Sequence, residues 1–258
     1  MAAMGLNVPA MRVLYLSELE RTWRTLFQSI LTPVLTTSLY FIVFGSAIGS
    51  RMQTVDGISY GAFIVPGLML LTVLSESIGN ASIGIYLPRF TGTVYETLSA
   101  PIGVPEILVG YVGAAATKSA ILALIILATA RLFVPFHIVH PVWALAFLIL
   151  IAVSFCLLGF ILGLWADGFE RLQIVPMMVV TPLTFLGGTF YSISMLPEPW
   201  RTVTLFNPVV YLVNGFRWCF YGTSDVDIRI CVALTLAFMG VCIAIIAWIF
   251  RTGYRLRG

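Results

Sequence analysis

The sequence predicts an all-α membrane protein with six transmembrane helices, an N-terminal amphipathic interface helix and short outer re-entrant helices between spans five and six. Hydrophobic residues make up 60% of the 258 residues, charged residues only 10%, and the mean hydropathy is +1.01. Soluble domains are usually nearer half apolar and a quarter charged, so this composition excludes a soluble enzyme or a disordered protein. The apolar residues form continuous runs rather than alternating ones, which excludes strands as the spanning elements.

The first element is an amphipathic helix predicted over residues 9–26. Its apolar stripe recurs at spacings of four and three and consists of Met11, Tyr15, Leu19, Trp23 and Leu26. Charged residues such as Arg12, Glu20 and Arg24 fall away from that stripe. The segment is too polar to span and suited to lying along the membrane surface.

Six apolar runs of 19 to 24 residues follow. The predicted spans are 29–49, 61–79, 107–130, 142–164, 172–191 and 230–250. A helix needs about 20 residues to cross the hydrocarbon layer, so each run is long enough. An even number of spans places both termini on one side of the membrane.

Arginine distribution predicts that both termini are cytoplasmic. The side that holds the termini would carry eight arginines and the other side five. The eight are Arg12, Arg21, Arg24, Arg89, Arg171, Arg251, Arg255 and Arg257. Cytoplasmic flanks carry the excess of cations in membrane proteins.

The internal loop 80–106 is too long for a simple turn. Phe90, Val94 and Leu98 have helical spacing within it, and prolines follow from Pro101, so a short helix is predicted over 90–100.

The outer segment 193–226 is rich in aromatic residues, neither charged enough for a free loop nor unbroken enough to span. Pro197, Pro199 and Pro208 would divide it into two short helices that dip into the outer leaflet. Such backbone is tolerated where protein or water surrounds it.

Signatures of catalysis are missing from the sequence. Lys118 precedes a serine, but the glycines of a nucleotide-binding loop are absent, as are the G-x-S-x-G and H-E-x-x-H patterns. His137 and His140 fit a solvated turn better than a metal site. We therefore predict no catalytic residue, metal site or bound cofactor, and the lack of a basic run argues against nucleic acid as a partner.

Two ionisable residues, Glu76 and Lys118, lie inside predicted spans at similar depth. A charge in lipid is unfavourable, so a pair facing the protein interior is expected. Snorkelling of Glu76 to the cytoplasmic interface is the alternative. The pairs Gly45–Gly49 and Gly159–Gly163 have the G-x-x-x-G spacing of close helix contacts.

Several motifs resemble the membrane subunit of ABC-2 type ATP-binding cassette transporters. The most specific belong to the outer segment and its approach: L-G-G-T-F-Y-S from Leu186, M-L-P-E-P-W from Met195 and N-P-V-V-Y-L-V-N-G-F-R from Asn207. The runs S-L-Y-F-I-V-F-G from Ser38 and F-I-V-P-G from Phe63 are similar to its YadH and NodJ-like group in particular. The resemblance covers essentially the whole chain, 1–258.

The resemblance implies a single-domain permease subunit of the bacterial inner membrane. It would not be an enzyme by itself, since ATP and Mg would be bound by two copies of a separate ATPase. Dimerisation is implied, with a homodimer preferred as the commoner symmetric solution. The interface helix would correspond to 9–26 and the coupling helix to 90–100, where contacts with the ATPase would come from Phe90, Val94, Tyr95, Glu96 and Leu98.

By the same resemblance, the substrate would be an amphipathic lipid, glycolipid, saccharide or hydrophobic drug that is exported or flipped to the outer leaflet. The cavity between the two protomers would be lined by spans one, two and five. Its hydroxyls would come from Thr32, Thr36, Thr37, Thr181 and Thr184, and its outer gate from Trp200, Tyr211 and Trp218.

Two other classes of function compete with transport by an ATP-driven permease. An intramembrane lipid-modifying enzyme would need clustered nucleophiles, acids or histidines within the spans, and none is visible in the sequence. A secondary transporter or channel would call for inverted repeats or broken helices, and the sequence has no internal repeat.

Overall fold

The computed structural model describes residues 6–24, 26–49, 54–93, 95 and 99–253, which are mostly helical. In chain order the helices are α1 (Val8–Arg24), α2 (Leu26–Tyr40), α3 (Tyr60–Thr91), α4 (Val104–Phe133), α5 (Pro141–Trp165), α6 (Phe169–Thr189), α7 (Glu198–Thr204), α8 (Pro208–Tyr221) and α9 (Ile228–Thr252). Helix α2 continues as π-helical turns over Phe41–Ile48, and one 3₁₀ turn covers Ile193–Met195.

Within the described residues, five helices are long and apolar enough to cross a membrane: α3, α4, α5, α6 and α9. The bounds of α4, α5, α6 and α9 agree with the predicted spans to within three residues. The first predicted span, 29–49, falls on a shorter apolar helix, Ser29–Gly45. The count of six spans therefore stays a prediction.

Helix α3 lies at the centre of the bundle and packs most closely on α5. A Cβ atom added to Gly159 would lie 2.4 Å from the Ile78 carbonyl oxygen, and one added to Gly163 would lie 2.4 Å from the Ser82 carbonyl oxygen. The pair Gly159–Gly163 thus brings two helix backbones together, as its spacing predicts. A Cβ atom at Gly45 would meet no atom within 4 Å.

The predicted loop 80–106 is helical at its start, because α3 continues to Thr91. Ala81, Ser82 and Ile85 are buried there. Hydropathy falls beyond residue 79 because this part of the helix is covered by neighbouring helices rather than by lipid. Gly92 ends the helix in the left-handed conformation, with φ 81° and its N–H bonded to the Arg89 carbonyl.

A short antiparallel hairpin, β1 (Thr54–Val55) and β2 (Ile58–Ser59), precedes α3. Its turn residues Asp56 and Gly57 both have positive φ, 50° and 79°, as a tight hairpin turn requires.

The outer segment contains two short helices, α7 and α8. Asn207 caps α8 by accepting a hydrogen bond from the Val209 N–H at 2.9 Å, and Gly222 ends it with φ 72°. Helix α8 is buried against α3, α5 and α9, whereas α7 has no buried residue. That these helices dip into the outer leaflet stays a prediction.

Candidate functional site

A polar bridge joins α3 to α4 inside the bundle. Lys118 Nζ donates a hydrogen bond to Asn80 Oδ1 at 2.7 Å, and Asn80 Nδ2 donates to Glu76 Oε2 at 3.4 Å. Lys118 is buried, so its ammonium needs these partners. Glu76 and Lys118 thus share one amide, and their charges also act on each other through space. A direct ion pair between them is not among those of the described residues.

Helix α1 docks on α3 and α4 at positions occupied by glycine. A Cβ atom on Gly110 would lie 2.7 Å from Leu14 Cβ, so α4 carries no side chain there. The Tyr15 hydroxyl and Thr117 Oγ1 share a hydrogen bond of 2.8 Å. These contacts place α1 against protein along one face.

Glu18 and Arg21, three residues apart on α1, form an ion pair at this interface, with 2.5 Å between Arg21 Nη2 and Glu18 Oε2. A Cβ atom on Gly84 would lie 3.3 Å from Arg21 Nη2, so this glycine of α3 leaves room for the pair. Burial raises the pKa of Glu18, and the neighbouring Arg21 opposes that rise.

The predicted apolar stripe of α1 therefore does not face one environment. Met11, Tyr15 and Leu19 are half-buried against the bundle, whereas Trp23 is 74% exposed. The side chain of Leu26 lies outside the described part of the chain. Docking on α3 and α4 takes precedence over a purely membrane-facing stripe.

The predicted coupling residues fall partly outside the described structure. Phe90 belongs to the last turn of α3, so the predicted helix 90–100 does not begin as a separate element at residue 90. Tyr95 is half-exposed, and its carbonyl accepts a hydrogen bond of 2.7 Å from Ser99 Oγ. Val94, Glu96 and Leu98 lie outside the described residues.

Phe90 is strongly exposed but has aromatic neighbours on one side. Its ring centroid lies 6.0 Å from that of Tyr86 and 5.8 Å from that of Phe169. The cluster joins the end of α3 to the start of α6. Arg89 Nη1 adds hydrogen bonds to the carbonyls of Leu164 and Ala166, which fixes the same end of α3 to the end of α5.

The five predicted cavity threonines do not share one surface. Thr37 and Thr184 are buried, and their hydroxyls donate to Pro33 O at 2.8 Å and to Val180 O at 2.7 Å. Thr32 and Thr36 are exposed on α2, and half-buried Thr181 donates to a carbonyl of its own helix. Thr37 and Thr184 are thus enclosed by their own protomer in this structure, and a cavity role for the five threonines stays a prediction.

The predicted outer-gate residues also separate. Trp200 is 64% exposed on α7, and the Tyr211 hydroxyl donates to Leu205 O at 2.9 Å. Trp218 instead stacks on His140, with 4.4 Å between ring centroids. Trp218 therefore secures the turn before α5, where His140 lies.

Arg217 on α8, one of the five arginines that the sequence assigns to the outer side, lies in a buried charged centre that hydropathy does not predict. Arg217 is 3% exposed, and its guanidinium lies 3.9 Å from the centroid of the Phe63 ring. Its Nη2 donates to Gly188 O at 2.6 Å, and its Nη1 lies 3.9 Å from Asp225 Oδ2. Arg217 thus links α8 to α3, to the end of α6 and to the segment before α9.

Asp225 extends this centre. It accepts hydrogen bonds from Ser192 Oγ at 2.9 Å and from the Ile193 N–H at 3.1 Å, and its own N–H donates to Asn214 Oδ1 at 3.1 Å. Spacing could have revealed the pair on α8, since Asn214 and Arg217 stand three residues apart in an otherwise apolar run. The centre fixes the outer segment to the rest of the bundle.

Comparison with known proteins identifies the family of this chain. The family model described as ABC-2 type transporter matches residues 9–221. The inner membrane transport permease YadH of Escherichia coli strain K12 is 36% identical over 241 residues, which cover 92% of this chain and 94% of that protein. Nodulation protein J of Rhizobium meliloti strain 1021 is 24% identical over 201 residues, which cover 78% of this chain and 77% of that protein. The chain belongs to the ABC-2 type transporter family, whose membrane subunits are transport permeases.

Proposed function

We propose that the chain is the permease subunit of an ATP-driven exporter of the bacterial inner membrane, with both termini in the cytoplasm. Two copies would form a homodimer and bind two copies of a separate ATPase that holds ATP and Mg. The family match carries the class of function, and the name of the Escherichia coli relative supports the inner membrane.

Helix α3 supports a mechanical connection to the ATPase. It runs without a break from the buried centre of the bundle to exposed Phe90, and Arg89 fixes its end to α5. A force applied at Phe90 would therefore act on the end of α3 and, through Arg89, on the end of α5. Helix α1 would follow a movement of α3, because Glu18 and Arg21 pack on Gly84 of α3.

The surface of α2 and α6 supports a substrate cavity between protomers. Exposed apolar side chains recur along α2 at helical spacing, at Leu31, Leu35 and Leu39, and Thr32 and Thr36 add hydroxyls beside them. The outer ends of α2 and α6 meet where the rings of Phe44 and Phe190 lie 4.6 Å apart. An apolar surface with a few hydroxyls suits an amphipathic substrate, and alternating access would follow changes in the angle between protomers.

Reconstitution tests this function directly. The chain, purified with an ATP-binding cassette ATPase co-expressed with it, is placed in proteoliposomes, and ATP hydrolysis is measured with a panel of amphiphiles. Stable co-purification and hydrolysis stimulated by a transported amphiphile are the expected results. Transport that proceeds without ATP and follows an imposed ion gradient would contradict an ATP-driven exporter and indicate a secondary transporter.

A further inference from the structure

An apolar cavity of about 200 Å³ lies between the C-terminal halves of α5 and α9. Leu164 and Ile249 form its buried floor, and Ile245 lines one side. Trp165 and Trp248 are 46% and 54% exposed and border the cavity on α5 and α9. Tryptophan prefers the level at which lipid headgroups meet acyl chains, so the cavity lies within reach of both parts of a lipid.

Two arginines, Arg171 and Arg251, place positive charge beside this cavity. The Arg171 guanidinium carbon lies 5.9 Å from the centroid of the Trp165 ring, and Arg171 also pairs with Asp167 at 2.5 Å. Exposed Arg251 follows Trp248 by one helical turn and therefore lies on the same side of α9. Arg251 takes part in none of the ion pairs found among the described residues.

The sequence adds to this charge beyond α9. Two further arginines, Arg255 and Arg257, follow within six residues of Arg251, and no acidic residue occurs after Asp227. On the other side of the cavity, Asp167 and Glu170 are the nearby acids, and Asp167 is already paired with Arg171. The excess of charge on the α9 side is therefore positive.

We propose that this cavity binds one anionic phospholipid, with part of an acyl chain between Trp165 and Trp248 and the phosphate between Arg171 and Arg251. A wholly apolar cavity suits an acyl chain, and guanidinium groups match phosphate oxygens in geometry as well as charge. Basic groups beside transmembrane helices attract acidic headgroups. The acyl-chain cavity is lined by α5 and α9 alone, and Arg171 lies in the first turn of α6, whereas the proposed substrate surface is formed by α2 and the outer part of α6. The lipid is therefore a resident ligand rather than cargo.

In the orientation given under the proposed function, this end of the bundle faces the cytoplasm, so the lipid would come from the cytoplasmic leaflet. The assignment of the leaflet therefore rests on the proposed function. Binding itself depends neither on that orientation nor on an ATPase. A measurement on the purified chain in detergent therefore separates failure of the lipid site from failure of the transport function.

Native mass spectrometry with phosphatidylglycerol and phosphatidylcholine tests the headgroup contact. We expect tighter binding of phosphatidylglycerol, and a loss of at least about tenfold in its affinity in the double variant Arg171→Gln, Arg251→Gln. The matched control is Arg131→Gln, Arg229→Gln, since Arg131 lies 5.2 Å from the centroid of the Phe136 ring and Arg229 lies in the first turn of α9 at the other end of the bundle. Equal binding of both lipids, or an equal loss in the control, would overturn the proposal.

Fluorescence quenching tests the contact between the acyl chain and the two tryptophans. The first measurement uses the wild-type protein, in which no substitution can disturb folding. Phosphatidylglycerol with brominated acyl chains should quench tryptophan emission more than brominated phosphatidylcholine does. The excess should disappear in Trp165→Phe, Trp248→Phe. An excess that survives in that variant, or no quenching by either lipid because a second copy of the chain covers the cavity, would refute a lipid at this position.

Discussion

The ammonium of Lys118 donates a hydrogen bond of 2.7 Å to the side-chain oxygen of Asn80, one turn along α3 from Glu76. Two opposite charges inside the bundle are therefore joined through an amide. The amide is suited to this position because it accepts from the ammonium and donates to the carboxylate at once. Each charge is then satisfied while α3 and α4 keep the separation that their packing sets.

This bridge predicts coupled effects on stability. Asn80→Ala should lower the free energy of unfolding by about 1.5–3 kcal/mol, because it leaves a buried ammonium without its acceptor. The same change made in a Lys118→Met background should have a smaller effect, since no charge then remains unsatisfied. Thermal unfolding in detergent is measured for the wild type, Asn80→Ala, Lys118→Met and the double variant, which form a double-mutant cycle. Purely additive effects would show that Asn80 does not bridge the charges.

The charged centre on α8 allows a buried arginine to be compared with an exposed one. Arg217→Met should destabilise the chain by about 1–3 kcal/mol, because the Gly188 carbonyl and the Asp225 carboxylate lose a buried charged partner. The matched control is Arg201→Met, since Arg201 lies 3.9 Å from Glu198, the same distance as separates Arg217 from Asp225, but both members are largely exposed. The control should change stability by less than about 1 kcal/mol. Similar losses for both variants would mean that burial of Arg217 adds nothing to the pair.

Close packing of α3 on α5 predicts an effect of a single methyl group. Gly159→Ala would place Cβ 2.4 Å from the Ile78 carbonyl oxygen, so the two helices must separate. We expect a loss of about 1–3 kcal/mol, as for other overpacked cores. Gly240→Ala is the control, because a Cβ atom there meets nothing within 4 Å, and it should leave stability unchanged or raise it slightly. Thermal unfolding in detergent measures both, and equal melting temperatures would contradict the close approach.

The sequence was sufficient to locate the five long apolar helices, because these depend on local composition. Spacing alone did not decide the glycine contacts, since Gly159–Gly163 lies against α3 whereas a Cβ atom at Gly45, in a pair of the same spacing, meets nothing within 4 Å. The sequence was insufficient for the end of α3, where Ala81, Ser82 and Ile85 are buried by protein rather than by lipid. Hydropathy measures preference for lipid. A span predicted from hydropathy therefore stops where the helix leaves the lipid, even when the helix itself continues.

Burial within the protomer also explains the other differences. Arg217 belongs to an outer segment by position, but Phe63 and Gly188 from distant parts of the chain enclose it. Thr37 and Thr184 point inward because the rotation of each helix is set by its packing, which an apolar run does not encode. The hairpin turn, in contrast, was available in the sequence as Asp56-Gly57, a strong signal for a tight turn.

Topology can be tested without removing native cysteines, since Cys156, Cys219, Cys231 and Cys242 are all buried and free. Thr223→Cys should react with a membrane-impermeant thiol reagent added outside intact cells, because Thr223 is exposed beyond α8. Thr252→Cys, exposed at the end of α9, should react only after the membrane is opened. Labelling of Thr252→Cys in intact cells would reverse the proposed orientation of the termini.

Coupling to an ATPase predicts a specific role for the exposed ring at the end of α3. Phe90 is 68% exposed beside Tyr86 and Phe169, so its free face can seat in a groove of a partner while its other side stays supported. Phe90→Ala should reduce amphiphile-stimulated ATP hydrolysis in proteoliposomes several-fold, and leave the yield and melting temperature of the permease near those of the wild type.

The control is Phe206→Ala, because Phe206 is 85% exposed between α7 and α8, at the other end of the bundle. Removing that ring should leave stimulated hydrolysis unchanged, since no ATPase is expected on that side. If both variants kept full stimulation, Phe90 would not transmit force, and α1 would become the next element to test. If only Phe206→Ala lost stimulated ATP hydrolysis, the ATPase would dock at the end of the bundle that holds Phe206. The proposed orientation would then be wrong as well.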